Sequence, residues 1–96
     1  MSKTIESAVK RLNAKLEGGW ADGTALIEIE GEGAILLDAD GARAGEGPAD
    51  VTLRADLDTF RGMLDGDVSP TAAFLSGRLR IGGNMGLALK LGSVLS

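Results

Sequence analysis

The 96-residue sequence predicts an α+β domain built on a five-stranded, mostly antiparallel sheet. Three observations carry this. Apolar residues recur at helical spacing at both ends of the chain. Between them, short stretches alternate apolar and polar residues with period two. Glycines, prolines and capping side chains punctuate the boundaries.

The N-terminal stretch places Ile5, Ala8, Val9, Leu12 and Leu16 on one helical stripe, with Lys3, Glu6, Lys10, Arg11 and Lys15 on the other face. Gly18 and Gly19 end it. From Thr24 to Gly45 the pattern is strands and tight turns. Ala25, Ile27 and Ile29 point one way while Leu26, Glu28 and Glu30 point the other, as in a sheet with one face covered and one wet. Gly31 and Gly33 bracket the first turn. Asp40-Gly41 predicts a type I′ hairpin, followed by a short strand near Ala42 to Ala44. Pro48 punctuates a loop.

Val51, Leu53 and Ala55 alternate with Thr52 and Arg54 in a fourth strand, and Asp56 is positioned to cap the next helix. That helix carries the stripe Leu57, Phe60, Met63 and Leu64 and stops at Gly66. Ser69-Pro70 starts another helix, bearing Phe74 and Leu75 and ending at Gly77. A fifth strand alternates Leu79 and Ile81 with Arg78 and Arg80, so Val51, Leu53, Leu79 and Ile81 should face the helices. Asn84 caps a final helix.

The length sets one domain, residues 1–96, with a modest core. Hydrophobic content of 44% and charged content of 25% suit a globular chain rather than a disordered one. A net charge of -4 and a pI near 4.6 argue against a nucleic-acid partner, which needs a basic surface. Trp20, Phe60 and Phe74 are too few to build a base-stacking platform. With no Cys, disulfides, thiolate zinc sites and cysteine nucleophiles are excluded. With no His, the commonest general base and metal ligand is missing. The N-terminus has no signal-type apolar run, and nothing approaches the roughly 18 to 20 apolar residues of a membrane span. The expectation is a soluble, cytoplasmic, monomeric protein.

Short motifs give no catalytic or metal site. Asp38-Ala39-Asp40-Gly41 resembles part of a calcium loop, but aligning Gly41 to the invariant glycine puts Leu36 and Gly47 where oxygen donors belong. The stretch from Gly31 opens like a dinucleotide fingerprint, yet has Leu36 at the third glycine and leads into a strand. Asp56, Asp58, Asp65 and Asp67 flank a helix, where acids are at home. Arg78 and Arg80 read as the charged face of an edge strand, with contact to anionic lipid headgroups as the second reading. The basic face of the first helix is a further candidate for transient docking on an anionic membrane surface.

The last helix is unusual. Met85, Leu87, Ala88, Leu89, Leu91, Val94 and Leu95 spread over most of its circumference, leaving only Lys90 and Ser93 as a polar strip. A helix apolar all round must be covered on two sides. Periodicity alone allows deep core or a dimer contact on one hand, and a cavity wall for an apolar ligand on the other. Met85, and Gly82-Gly83 as a flexible joint for a lid, lean toward the second.

The segment Ala49 to Leu91 resembles the sterol carrier protein type-2 lipid-binding family. The Asp50-Val-Thr-Leu strand, the passage "DGDVSPTAAFLSGRLRI" and the passage "GNMGLALKL" carry the resemblance in order and spacing. It implies a five-stranded sheet covered on one face by helices, with an apolar tunnel or cavity between the layers. It implies a non-enzymatic carrier of fatty acids, acyl-coenzyme A, phospholipids or sterols, with no catalytic residues and no cofactor. By matching position, Phe60, Leu64, Phe74, Leu75, Leu79, Ile81, Met85, Leu87, Leu89 and Leu91 form the core-or-tunnel set. Within the last helix, Met85 and Leu89 are assigned to the lid side and Leu87 and Leu91 to the core side. The chain resembles a short, bacterial-looking member in which residues 17–24 replace a longer entry region. A bacterial setting places fatty acids, acyl-coenzyme A or phospholipid ahead of cholesterol. The alternative is an accessory module for a lipid-metabolising enzyme that kept the fold and lost the ligand.

Overall fold

A computed structural model describes residues 3–95; residues 1, 2 and 96, at the ends of the expected domain, lie outside the described residues. The elements follow as α1 (Lys3–Leu16), β1 (Ala25–Ile29), β2 (Gly33–Asp38), β3 (Gly41–Ala44), β4 (Val51–Ala55), α2 (Leu57–Asp65), α3 (Pro70–Leu75), β5 (Leu79–Gly83) and α4 (Met85–Leu95). The strands form one sheet in the order β3-β2-β1-β4-β5. Neighbours run antiparallel except β1 and β4, which are parallel.

Alternation decides which face is dry. Ile27 stands opposite Ile35 on one side and Leu53 on the other, and Leu53 opposite Ile81. With Ala25, Ile29, Leu37, Val51, Ala55 and Leu79 they make the face on which the helices lie. Arg54 and Arg80 point to the other face and are exposed, as the alternation requires. From α1, Ile5, Ala8 and Leu12 enter the core; from α2, Phe60, Met63 and Leu64; from α4, Ala88, Leu91 and Leu95. Lys3, Lys10, Arg11 and Lys15 are exposed. Two of them are nevertheless engaged: Arg11 pairs with Asp65, and Lys15 Nζ donates to the Leu64 carbonyl at 3.3 Å. They tie α1 to the carbonyl end of α2, where the helix dipole favours cations.

The caps read from the sequence are present. Thr59 N–H donates to Asp56 Oδ1 at 2.7 Å, Ala72 N–H to the Ser69 hydroxyl at 3.3 Å, and Leu87 N–H to Asn84 Oδ1 at 3.0 Å. Asp50 fixes the parallel seam. Its carboxylate accepts from Thr24 N–H at 3.0 Å, while its own N–H donates to the Thr24 carbonyl at 2.9 Å.

Two local expectations are corrected. In the second hairpin Asp38 pairs with Gly41, so the turn residues are Ala39 and Asp40, not Asp40 and Gly41. Neither has positive φ; Gly41 supplies it at 120°, and Asp40 N–H donates to Asp38 Oδ1 at 2.9 Å. The side-chain turn of Asp38 thus replaces the type I′ turn. Gly82 and Gly83 are not a flexible joint: they pair with Thr52 and Val51 as the end of β5. Gly83 has φ of 83°, and a Cβ there would lie 2.5 Å from the Asp50 carbonyl oxygen. Only glycine lets β5 close against that backbone and turn directly into α4.

Candidate functional site

The edge of the sheet at β5 leaves a space that the helices do not fill. It is a cleft of about 570 Å³, with Leu53, Leu79 and Ile81 of the sheet as its floor. Met63 of α2 closes its inner end. One wall is α3 with the residues that lead into it: Ser69, Pro70, Thr71, Phe74 and Leu75. The other is α4: Met85, Ala88, Leu89, Gly92, Ser93 and Leu95. The volume lies within the usual range for small-molecule sites. Among the described residues no charged side chain lines it, and the side-chain polar groups in its wall are the hydroxyls of Ser69, Thr71 and Ser93.

The two walls are held by different means. Pro70, at the first turn of α3, meets α4 at Gly92, where an added Cβ would lie 3.3 Å from the Pro70 ring. The lack of a side chain at Gly92 is what lets the two walls meet there. The inner end depends on α2, whose cap holds the Asp56 carboxyl below the usual carboxylate range. Acceptance from the Thr59 backbone N–H is the main cause, with the charge of Arg78 assisting.

The cleft is open on its solvent side. Its rim carries the large exposed apolar residues Leu75 (78% exposed), Leu89 (60%), Met85 (44%) and Phe74 (39%). The final helix is thus not covered on two sides, as its composition led us to expect. Ala88, Leu91 and Leu95 are buried beneath it, Leu87 packs beside Gly23, and Met85 and Leu89 look across the cleft. Val94, which shares an arc with Leu87 and Leu91, is exposed.

Six of the ten residues singled out in the sequence line this space: Phe74, Leu75, Leu79, Ile81, Met85 and Leu89. Phe60, Leu64, Leu87 and Leu91 do not. Phe60 and Leu64 of α2 face α1 across a narrow crevice with Ala8, Leu91 is fully buried, and Leu87 packs on the opposite flank of α4. Sequence reasoning missed Leu53, Met63, Ser69, Pro70, Thr71, Ala88, Gly92, Ser93 and Leu95. A signal for four wall positions was present, since Met85, Ala88, Leu89 and Gly92 fall at i, i+3, i+4 and i+7 on one face of α4.

A second, shallower depression of about 590 Å³ lies by the β1–β2 turn. Glu28, Glu30, Glu32 and Glu46 border it, and Arg54 ties it together through contacts of 3.5 Å to Glu28 and to Glu30. One arginine against four carboxylates leaves this depression acidic.

The whole-chain comparisons agree with this architecture. The crystal structure of sterol carrier protein 2 like 2 from Aedes aegypti superposes with a TM-score of 0.79 at 19% identity, covering 95% of each chain. The solution structure of sterol carrier protein 2 from Aedes aegypti in complex with palmitate gives 0.79 at 15% identity, covering 100% of this chain and 97% of that one. In sequence, hydroxysteroid dehydrogenase-like protein 2 of Xenopus tropicalis is 37% identical over 99 residues. That match takes in 97% of this chain but only 23% of the relative, so the chain spans less than a quarter of that protein's length. The family model for the SCP-2 sterol transfer family matches residues 2–96. The chain belongs to the SCP-2 sterol transfer family.

Proposed function

We propose that this protein is a non-enzymatic lipid carrier. It holds the apolar part of a fatty acid, acyl-coenzyme A, phospholipid or sterol-like molecule in the cleft between β5, α3 and α4. One observation carries the reading: a cleft of ligand size whose wall contains no charged side chain among the described residues. Such a wall places no charged group beside its hydroxyls to activate them. What it offers is removal of alkyl surface from water, worth about 0.8 kcal/mol for each buried CH₂. The hydroxyls of Ser69, Thr71 and Ser93 are too sparse to stabilise a developing charge, but suffice to meet a polar headgroup or its water. The palmitate held by a structural neighbour fits the same reading.

Native mass spectrometry of freshly purified protein tests it. Co-purified lipid, or saturable binding of a fluorescent fatty acid to the delipidated protein, is the expected result. A clean apo mass together with no fatty-acid binding overturns it.

A second reading draws on the length of the relatives. This fold forms under a quarter of hydroxysteroid dehydrogenase-like protein 2. On that reading the domain serves a lipid-metabolising enzyme as an accessory module, and the clean apo mass is its signature.

A further inference from the structure

The cleft between β5, α3 and α4 sorts its polar and apolar side chains along its length. Its hydroxyls, on Ser69, Thr71 and Ser93, gather about one point: Pro70, between Ser69 and Thr71, packs on Gly92, the neighbour of Ser93. Phe74 and Leu75 lie about a turn further along α3, and Leu89 and Met85 about one and two turns back along α4. These four offer hydrocarbon, a ring and a thioether. No cation lines the hydroxyl end among the described residues. Arg78 and Arg80 alternate with Leu79 and Ile81 and so lie on the sheet face opposite the cleft, where Arg80 stands beside Arg54 and the charge of Arg78 acts on Asp56. Lys90 is outside the lining, about 140° round α4 from Met85. Arg11 and Lys15 are engaged with Asp65 and the Leu64 carbonyl at the end of α2. The nearest charge along the chain is instead an acid. Asp67 stands two residues before Ser69, its Cα within about 7 Å of that of Ser69, and makes no ion pair among the described residues.

We propose that the hydroxyl end of the cleft receives the headgroup of an uncharged lipid, an alcohol or an ester, and discriminates against a carboxylate of the same chain length. The alkyl chain then runs over Leu79 and Ile81 toward Phe74, Met85 and Leu89. A Ser or Thr hydroxyl both donates and accepts, which suits an oxygen that carries no charge. Ser69 already accepts from Ala72 N–H at 3.3 Å, so its own proton is left to give. A carboxylate entering here sheds part of its hydration and gains neither a cation nor a charge-assisted donor in return. It also meets the field of Asp67. Ser69, Thr71 and Ser93 are exposed, so the lost hydration is partial. The discrimination is therefore about tenfold, the equivalent of one unit in the lipid's own acid dissociation, rather than many thousandfold.

This inference rests on the carrier reading and narrows its ligand class. Delipidated protein is loaded with an uncharged pyrene-labelled alkanol, and dodecan-1-ol and dodecanoic acid are compared as displacers at pH 5 and pH 8. Dodecan-1-ol should displace the probe equally at both. Dodecanoic acid should come close to it at pH 5, where much of it is protonated, and fall about tenfold behind at pH 8, where it is ionised. Two variants locate the head. Thr71→Arg places a cation at the hydroxyl end and should narrow the gap at pH 8 by about fivefold, the upper worth of an exposed ion pair. Leu75→Arg places the same cation on the apolar rim and should leave the gap as it is. The ratio of acid to alcohol is read in each variant, so a general loss of affinity does not enter, and urea midpoints confirm that both fold. Equal binding of acid and alcohol at pH 8, or a gap that Leu75→Arg closes as well as Thr71→Arg does, overturns the inference and leaves the carrier function standing. No binding of the alkanol probe and no displacement by either compound overturns both.

Discussion

Leu89 and Leu91 sit two positions apart on α4 and meet opposite surroundings: Leu91 is fully buried, Leu89 stands on the cleft rim. Truncation should separate them. Leu91→Ala removes packed methyl groups and leaves a void, at about 2 to 5 kcal/mol. Leu89→Ala removes a side chain with solvent on one side, and should shift stability by only about 0.5 kcal/mol. In fatty-acid binding the order reverses: Leu89→Ala should lose about fourfold for each methylene contact given up, at roughly 0.8 kcal/mol apiece. Urea unfolding and a fluorescent fatty-acid titration on the same two variants read both. Asp56 makes a prediction about acid. Its folded-state pKa lies below the ordinary 3.8, so the unfolded chain takes up the proton first. The stabilisation from this cap is therefore complete above about pH 4 and is lost as pH falls through the folded-state value. Asp56→Asn keeps a capping acceptor without a titrating group. Its urea midpoint should fall less steeply than the parent's between neutral pH and pH 3, and parallel curves would contradict the assignment.

Among the elements, β3 shows how a sheet edge is sealed. The Asn13 side chain on α1 accepts from the Ala42 N–H at 2.8 Å and donates to the Ala42 carbonyl at 3.0 Å, taking the place of a neighbouring strand. Asn13→Ala leaves two backbone groups unpaired, at about 1 to 3 kcal/mol, and frees an edge that other chains can pair with. Thermal unfolding should show the loss, and sedimentation the association. The role of Asn13 was not legible in the sequence, because a polar residue beside an apolar stripe reads as solvated surface. The stripe itself was legible, since Ile5, Ala8 and Leu12 needed only their spacing. The same contrast governs the cleft. Phe60 and Phe74 both ride apolar helical stripes, and nothing local distinguishes the one against α1 from the one on the rim. That is decided by where α2 and α3 land, a tertiary matter. Ala88 was read as apolar but left out of the site set, and Gly92 carries no side chain to register on a helical face, although their smallness is what leaves room in the wall.

At the scale of the molecule, strand count, caps and the dry face were legible because each is set within a few residues: period-two alternation, a capping side chain, a glycine or proline at a boundary. The strand order was not, because the β1–β4 neighbourhood joins parts of the chain with no local link. That seam carries a kinetic consequence. Strands β1, β2 and β3 are joined by short turns, and hairpins of this kind close in about 1 to 10 μs. Thr24 and Asp50, at the mouth of the seam, are 26 positions apart, and parallel strands cannot zip from a tight turn. Loop-closure entropy must be met before any seam contact rewards it, so the time this protein takes to fold is set at β1–β4. The strands beneath the cleft, β4 and β5, pair with each other and reach the rest of the sheet only through that seam.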